Sequence, residues 1–395
     1  MKRVYITAIL TALAVLIAFS MYHPFWNNGQ QVDVLKVGFI YDGDGSIPDT
    51  YNFAMAETVL KQRYPDRVVT VSRSNVLSDE VETPLREFVM KGCNLIFTNV
   101  DGPKVAEVAG EFPEVQFCQV SGRDNGLTRP ANYHTFNGEI YEGRYISGIA
   151  AGMKLRSLLD QHIIDRDEAL VGYVGTYPTP ETISGFTAFL LGVRAAAPEA
   201  VMRVHYTYAP DSFSQEKAST RALIDEGCVI IAQHTPTIGP AVACEEAAAT
   251  RTVYHIGYNQ NMIDVAPTTS IVSTRVNWVP YVLGATEAVL NRQPIEKTVE
   301  GNVHGGNDIS AGIERDWVQL LELNQHIAAY GTQKRLDSVI EGLRKGTVQV
   351  FSGNYIGVDP ADPTDTYDLS KGFEENRDAS APSFHYILKD IITVD

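Results

Sequence analysis

The chain has 395 residues, enough for two domains of ordinary size, and 44% of them are apolar, the usual share for a chain that buries real cores. Its formal net charge of −16 excludes a nucleic-acid binder, which needs a basic surface to meet phosphates, and argues equally against adhesion to anionic lipid. Such a surplus of carboxylates suits a protein kept soluble by its own charge.

At the start of the chain, Lys2 and Arg3 precede an uncharged, mostly apolar run from Val4 to Tyr22. That approaches the roughly 20 residues with which an α-helix crosses the hydrocarbon core. The positive charges would stay on the cytoplasmic side and place everything after Pro24 outside, so residues 1–31 read as a Sec-type export segment. Two readings stay open. Ala18-Phe19-Ser20 reads as a small-x-small cleavage site that would release the protein. The length of the run favours the other, an uncleaved membrane anchor with Tyr22, Phe25 and Trp26 as an interfacial aromatic belt. No cysteine precedes Cys93, so a lipid-bearing N-terminal cysteine is not expected.

From Val34 onward, short apolar runs alternate with helical patterns. Val34–Tyr41, Val68–Arg73, Asn94–Thr98 and Val115–Val120 read as strands, with helices over Asn52–Tyr64, Glu80–Lys91 and Val105–Phe112 between them. A long helix, Glu139–Leu159, follows; its Gly148 and Gly152 would let it approach a sheet closely. A second series then runs Leu170–Gly175, Met202–Tyr208, Val229–Gln233 and Val253–Gly257, with helices at Thr182–Ala197 and Ser214–Glu226. Asp359–Ala381 reads as an exposed loop before a closing strand, Phe384–Val394. The alternation predicts an α/β protein with two hinge-linked lobes, each a parallel sheet flanked by helices. Residues 32–155 make the first lobe, completed by part of 265–310. Residues 156–264 make the second, completed by part of 311–395.

Four cysteines in an exported chain raise the question of disulfides. Buried free thiols are one reading; a Cys93–Cys118 bridge between neighbouring strands is the other. No C-x-x-C or paired-histidine spacing points to a metal, and no cofactor is expected.

In open α/β sheets, ligands bind beyond the C-terminal ends of the strands. The residues to watch therefore follow each strand: Asp42–Gly45, Asn99–Gly102, Ser121-Gly122, Thr176–Pro178, Ala209–Phe213, His234–Pro236 and Tyr258–Asn261. Two such rims facing each other make a cleft able to close over a small molecule, with Lys36–Asn52 as one wall. The patterns H-E-x-x-H, G-x-S-x-G and G-x-x-x-x-G-K-[ST] are absent, and Pro48 stands where a dinucleotide fingerprint needs its third glycine. Asp42, Asp44 and Asp49 share one loop, where capping and turn roles compete with ligand hydrogen bonding. Binding without chemistry is the expectation, and the chain is not expected to be an enzyme.

Val37-Gly38-Phe39-Ile40-Tyr41-Asp42-Gly43, with Tyr51-Asn52 downstream, resembles the opening of the basic membrane protein family. Further stretches agree in order: Tyr141–Gly152, Val171–Gly175 with Pro178, Pro180 and Glu181, Leu223–Ile230 with His234-Thr235, His255–Asn259, and Val348–Gly353. The family comprises substrate-binding components of ABC importers with a type I periplasmic-binding fold, several of which bind purine nucleosides. The resemblance implies a nucleoside-like small molecule as ligand and an ABC permease and ATPase as partners. It also implies an aromatic from each lobe stacking on the base, here Tyr51 and Phe213, with Asp42, Asn52 and Asn99 as hydrogen-bonding groups. The chain departs from the family pattern at Asp44 and Pro48. Ser121 and Asn259 stand where the family has aspartates, and His234, Asn277 and Trp278 complete the set of expected ligand contacts. A membrane-tethered sensor of the same fold, without transport, is the rival expectation.

Overall fold

The computed structural model describes residues 34–120 and 129–395. The export segment and Ser121 lie outside the described residues. Among the described residues no helix is long and apolar enough to cross a membrane.

Strand β1 (Leu35–Ile40) is an almost continuous apolar run because both of its faces are covered, as a central parallel strand requires. It lies between β2 (Val68–Arg73) and β3 (Leu95–Thr98), with Val37 opposite both Thr70 and Leu95. Outward from β3 come β4 (Gln116–Val120), β5 (Tyr133–Gly138), β12 (Asp308–Ala311) and a short antiparallel edge, β11 (Asn302–Val303). The second sheet is built alike. Strand β6 (Leu170–Gly175) lies between β7 (Val201–Tyr206) and β8 (Ile230–His234), followed outward from β8 by β9 (Tyr254–Tyr258), β10 (Ser270–Val276) and antiparallel β13 (Val318–Leu320). A small antiparallel sheet of β14 (Ile356–Val358), β15 (Thr366–Asp368) and β16 (Ile387–Leu388) follows near the C-terminus. Two α/β lobes with parallel sheets are thus present, as the alternation predicts.

The chain passes between lobes after β5, after β10 and after β12, and the three crossings are bonded side by side. Glu139 N donates to Ala311 O at 2.9 Å, and Asn277 N to Trp317 O at 2.7 Å. Glu142 lies on the same seam and accepts from Ile313 N at 2.8 Å.

Several expectations change. The long helix runs Ile140–Asp160 and packs on the second lobe, so the first crossing falls near residue 139 and not at 155. Its Gly148 and Gly152 approach a helix, Pro180–Arg194, and not a sheet. A Cβ on Gly148 would sit 2.1 Å from Phe189 O, and one on Gly192 of the partner helix 2.1 Å from Tyr145 O. The closing strand is two strands in two sheets: β16, then β17 (Ile392–Val394), which pairs with β7, with Asp390 between them at φ +60°. All four cysteines are buried free thiols, so the Cys93–Cys118 bridge does not form.

The first lobe's core is aromatic, with Phe136 stacked on Tyr281 at 3.7 Å and Phe39 on Phe97 at 5.2 Å. In the second lobe Tyr173, Phe186 and Phe189 sit among aliphatic side chains. The C-terminal segment adds its own cluster, in which Phe351 stacks on Phe384 at 4.0 Å and meets Tyr141 at 5.4 Å.

Candidate functional site

The C-terminal ends of β1, β3, β6, β7, β8 and β9 carry the polar and aromatic residues that face the space between the lobes. On the first lobe, Asp42 follows β1 and is exposed. Its Oδ1 accepts from Asn99 Nδ2 at 2.6 Å and from Thr50 Oγ1 at 2.9 Å, and its backbone N donates to Asn99 Oδ1 at 3.1 Å. One carboxylate oxygen is thereby fixed by its own lobe, and Oδ2 is left to accept from a ligand. The next helix starts at Pro48, which supplies the fixed φ of a first turn. Asp49, Tyr51 and Asn52 therefore all stand in its opening turns. Tyr51 is 49% exposed, whereas Asn52 is buried.

Asn52 is buried because it reaches the other lobe. Its Nδ2 donates to Asn259 O at 2.9 Å, and Asn259 Nδ2 donates back to Asp49 Oδ1 at 3.2 Å. Asn259 takes φ +60°, a left-handed conformation that asparagine tolerates better than most residues. Its backbone N is bonded to Thr274 O at 2.7 Å. The two lobes are thus latched across the cleft. Asp49, enclosed by both, has its carboxyl pushed up to about 7, by burial first and then by the charges of Asp42 and Glu181, against the hydrogen bond from Asn259.

On the second lobe, His234 ends β8 and is buried. Its Nε2 lies 3.4 Å from Glu181 Oε1 and its Nδ1 3.4 Å from Tyr173 OH. A carboxylate only accepts, so Nε2 carries the proton and Nδ1 accepts from the tyrosine. Burial, then the charge of Arg144, holds His234 below its usual value. Burial works to raise Glu181, but the His234 hydrogen bond, with the charges of His234 and Arg144, outweighs it and keeps the carboxyl below the usual range. Arg144, fully buried on the long helix, lies 3.9 Å from the centre of the Tyr258 ring. Tyr177, Tyr206 and Tyr208 form an aromatic rim after β6 and β7, with Tyr208 62% exposed and held at φ +50°. Bonds from Thr207 N to Gly175 O and from Tyr208 N to Thr176 O, both 2.9 Å, pin that unusual backbone.

Of the expected contacts, Asp42, Asn52, Asn99, His234 and Asn259 gather around this space, and Tyr51 stands exposed in the same helix opening as Asn52. Phe213 heads the Phe213–Asp225 helix, half-exposed, with Lys217 Nζ 5.8 Å from its ring centre. Asn277 is occupied at the crossing, donating to Asp316 O at 2.8 Å and accepting from Val279 N at 3.3 Å. Trp278, expected at the ligand, is buried in the first lobe's core against Phe53 and Phe136, because its helix packs on the first lobe. Sequence reasoning passed over Glu181, Tyr208 and Arg144. Glu181 opens the helix Pro180–Arg194 just past the expected rim at 176–178, and Tyr208 was counted as the end of a strand that stops at Tyr206, so the strand-end rule stopped short of both. An arginine in a helix otherwise rich in Gly, Ala and Ile was the one signal for the third.

Among the described residues, two groups close enough to hold a cation, His205–Glu226–Asp395 and Asp359–Asp365–His385, lie on the β7–β17 edge and in the C-terminal segment. Arg203 already pairs with Glu226 of the first at 3.4 Å.

Residues 35–347 match the model of the family described as ABC transporter substrate-binding protein, PnrA-like. The chain belongs to this family. It is a family of solute-binding proteins and not an enzyme class. A purine-binding protein of Brucella abortus is 30% identical over 261 residues, 65% of this chain and 69% of that relative. A Haloferax volcanii protein, provisionally named an ABC transporter glucose-binding protein, is 26% identical over 253 residues, 63% of this chain and 59% of its own. Among solved structures, a solute-binding protein of an ABC transporter system from Aeropyrum pernix superposes with a TM-score of 0.64 at 16% identity, over 79% of this chain and 92% of its own. That likeness establishes the fold, a type I periplasmic-binding architecture, which the PnrA-like family shares.

Proposed function

We propose that this protein captures a purine nucleoside or nucleobase outside the cytoplasm and hands it to an ABC permease driven by a cytoplasmic ATPase. What supports the reading is the closeness of Asp42, Asp49 and Glu181 where the lobes are latched through Asn52 and Asn259, with Tyr51 and Tyr208 exposed on neighbouring segments. Aromatic faces suit a planar base, and carboxylates accept its N–H groups and the hydroxyls of a sugar. The purine-binding relative supports the same ligand class. Three acids, with the nearby cation Arg144 buried behind Tyr258, disfavour a phosphate. Nucleosides should therefore bind and nucleotides should not. Calorimetry and thermal-shift measurements against purine and pyrimidine bases, nucleosides, nucleotides and glucose test this. Stabilisation by adenosine or a related purine, and not by its monophosphate, is expected. Stabilisation by glucose alone, or by no base or nucleoside, would overturn it.

A further inference from the structure

Arg144 is buried completely, yet its Nε and Nη2 have no hydrogen-bond partner, and no carboxylate lies within ion-pair distance among the described residues. Its Nη1 donates to Gln233 O at 2.8 Å, and its guanidinium lies over Tyr258 at 3.9 Å and Tyr173 at 6.0 Å. A buried cation is normally neutralised by an adjacent acid, and tyrosine faces compensate it only in part. Gln233 directly precedes His234, whose ring lies 4.8 Å from that of Tyr258 and which bonds to Glu181. The charge therefore sits directly behind the second lobe's polar rim. Glu181 itself is exposed to the cleft, so its carboxylate carries free acceptor capacity.

We infer that Arg144 is the positioning residue for a hydrogen-bond-accepting subsite at Glu181, and that this subsite selects ligands presenting an N–H or O–H donor to the second lobe. The inference rests on the cleft being the ligand site. Its physical content is that burial, then the cation, keeps His234 a neutral imidazole, and that this imidazole donates through Nε2 to Glu181, which with the charge of Arg144 behind it stays a carboxylate. With that proton arrangement fixed, the subsite accepts a hydrogen bond and does not offer one. A ligand lacking the donor leaves a desolvated carboxylate unpaired, which is the costly half of a hydrogen bond.

The test measures binding of adenosine, and of N-methylated and deoxy analogues each lacking one donor, to the full chain and its Arg144→Gln, Arg144→Lys and Glu181→Gln variants. In the wild type one analogue should bind about tenfold more weakly than adenosine. Arg144→Lys should keep that discrimination, Arg144→Gln and Glu181→Gln should each abolish it, and the double variant should show no further change in it. Discrimination kept by Arg144→Gln, or a uniform loss for every probe, would overturn the inference. A second measurement needs no ligand: nitrogen NMR of the His234 imidazole between pH 5 and 8. The imidazole should stay neutral in the wild type and gain a proton as pH falls in Arg144→Gln. Identical titrations would overturn the role of Arg144 whatever binds, whereas a failure of adenosine and all analogues on the wild type would overturn the cleft reading itself.

Discussion

The two lobes share a parallel-sheet plan but present different chemistry to the cleft. The first lobe keeps most of its aromatic rings inside, in the cluster around Phe39, Phe97, Phe136 and Tyr281, and exposes acids together with Tyr51. There Asp42 is tied down by Asn99 and Thr50, and Asp49 by Asn259 from across the cleft. The second lobe sends tyrosines to the rim and keeps its cation inside, behind Tyr258. A shared topology thus positions strand ends without dictating what they carry. One wall carries carboxylates held by their neighbours, and the other carries tyrosines with a single acid, Glu181, bonded to His234. Two glycines, one in each lobe, mark different kinds of close approach. A Cβ on Gly38 of the first lobe would meet the Phe88 ring at 2.5 Å, whereas one on Gly192 of the second meets a backbone carbonyl at 2.1 Å.

That last difference gives the largest expected effect. Gly192→Ala should destabilise the second lobe by about 3 kcal/mol, near the upper end for overpacking, because two helix backbones must part. Gly38→Ala should cost less, since a ring turns more easily than a backbone shifts; urea unfolding of both variants compares the lobes directly, and equal losses would erase the contrast. Next comes the acidic wall. Asp42→Ala should weaken nucleoside binding by about 2 kcal/mol, the range of a hydrogen bond to a charged group, with calorimetry as the readout. Tyr208→Ala should cost about 1.5 kcal/mol of binding if the second wall stacks on a base. An unchanged affinity there, alongside a loss in Tyr51→Ala, would confine stacking to the first lobe.

Asn52→Ala removes the latch from Asn259 and should shift the ligand-free protein toward open forms by about 1 kcal/mol, visible in solution scattering. The smallest effect is the pH response of the same latch, because Asp49 is partly exposed and solvent screens it. Its pKa is raised in the closed form, so closing takes up a proton at pH values between the ordinary 3.8 and about 7. Closure is therefore most favoured below that window and is lost progressively as pH rises through it, with no further change above about 7. Scattering at pH 5 and 8 should show the more closed form at pH 5, and Asp49→Asn should remove the difference.

Much of the fold was legible before the structure. β6 lies where its apolar run places it, and the other expected strands, the half-exposed edge strand β2 among them, match or shift by only one or two residues, because a strand covered on both faces writes its burial as an unbroken apolar run; β5 and β12, with polar residues in their runs, were not foreseen. Asp42, Asn99 and His234 were legible for a related reason: each follows such a run. The closing strand was misread because Ile387–Leu388 and Ile392–Val394 are both apolar, and only their partners in separate sheets divide them. Trp278 was misread because a motif position says nothing about which way its helix packs.

By itself the sequence determined the class of fold, the strand ends that carry the cleft residues, and an acidic protein ill-suited to phosphate-bearing partners. Burial and periodicity are local properties of the chain, and so is its charge. Only the tertiary structure decided that Asn52 meets Asn259, some two hundred residues away, that Arg144 lies behind Tyr258 with Nε and Nη2 unpartnered, and that Gly148 and Gly152 of the long helix meet another helix. Those contacts join segments whose separation along the chain leaves no trace in local pattern. The first forms only when the two lobes meet, and the other two only when the second lobe packs its helices against its sheet.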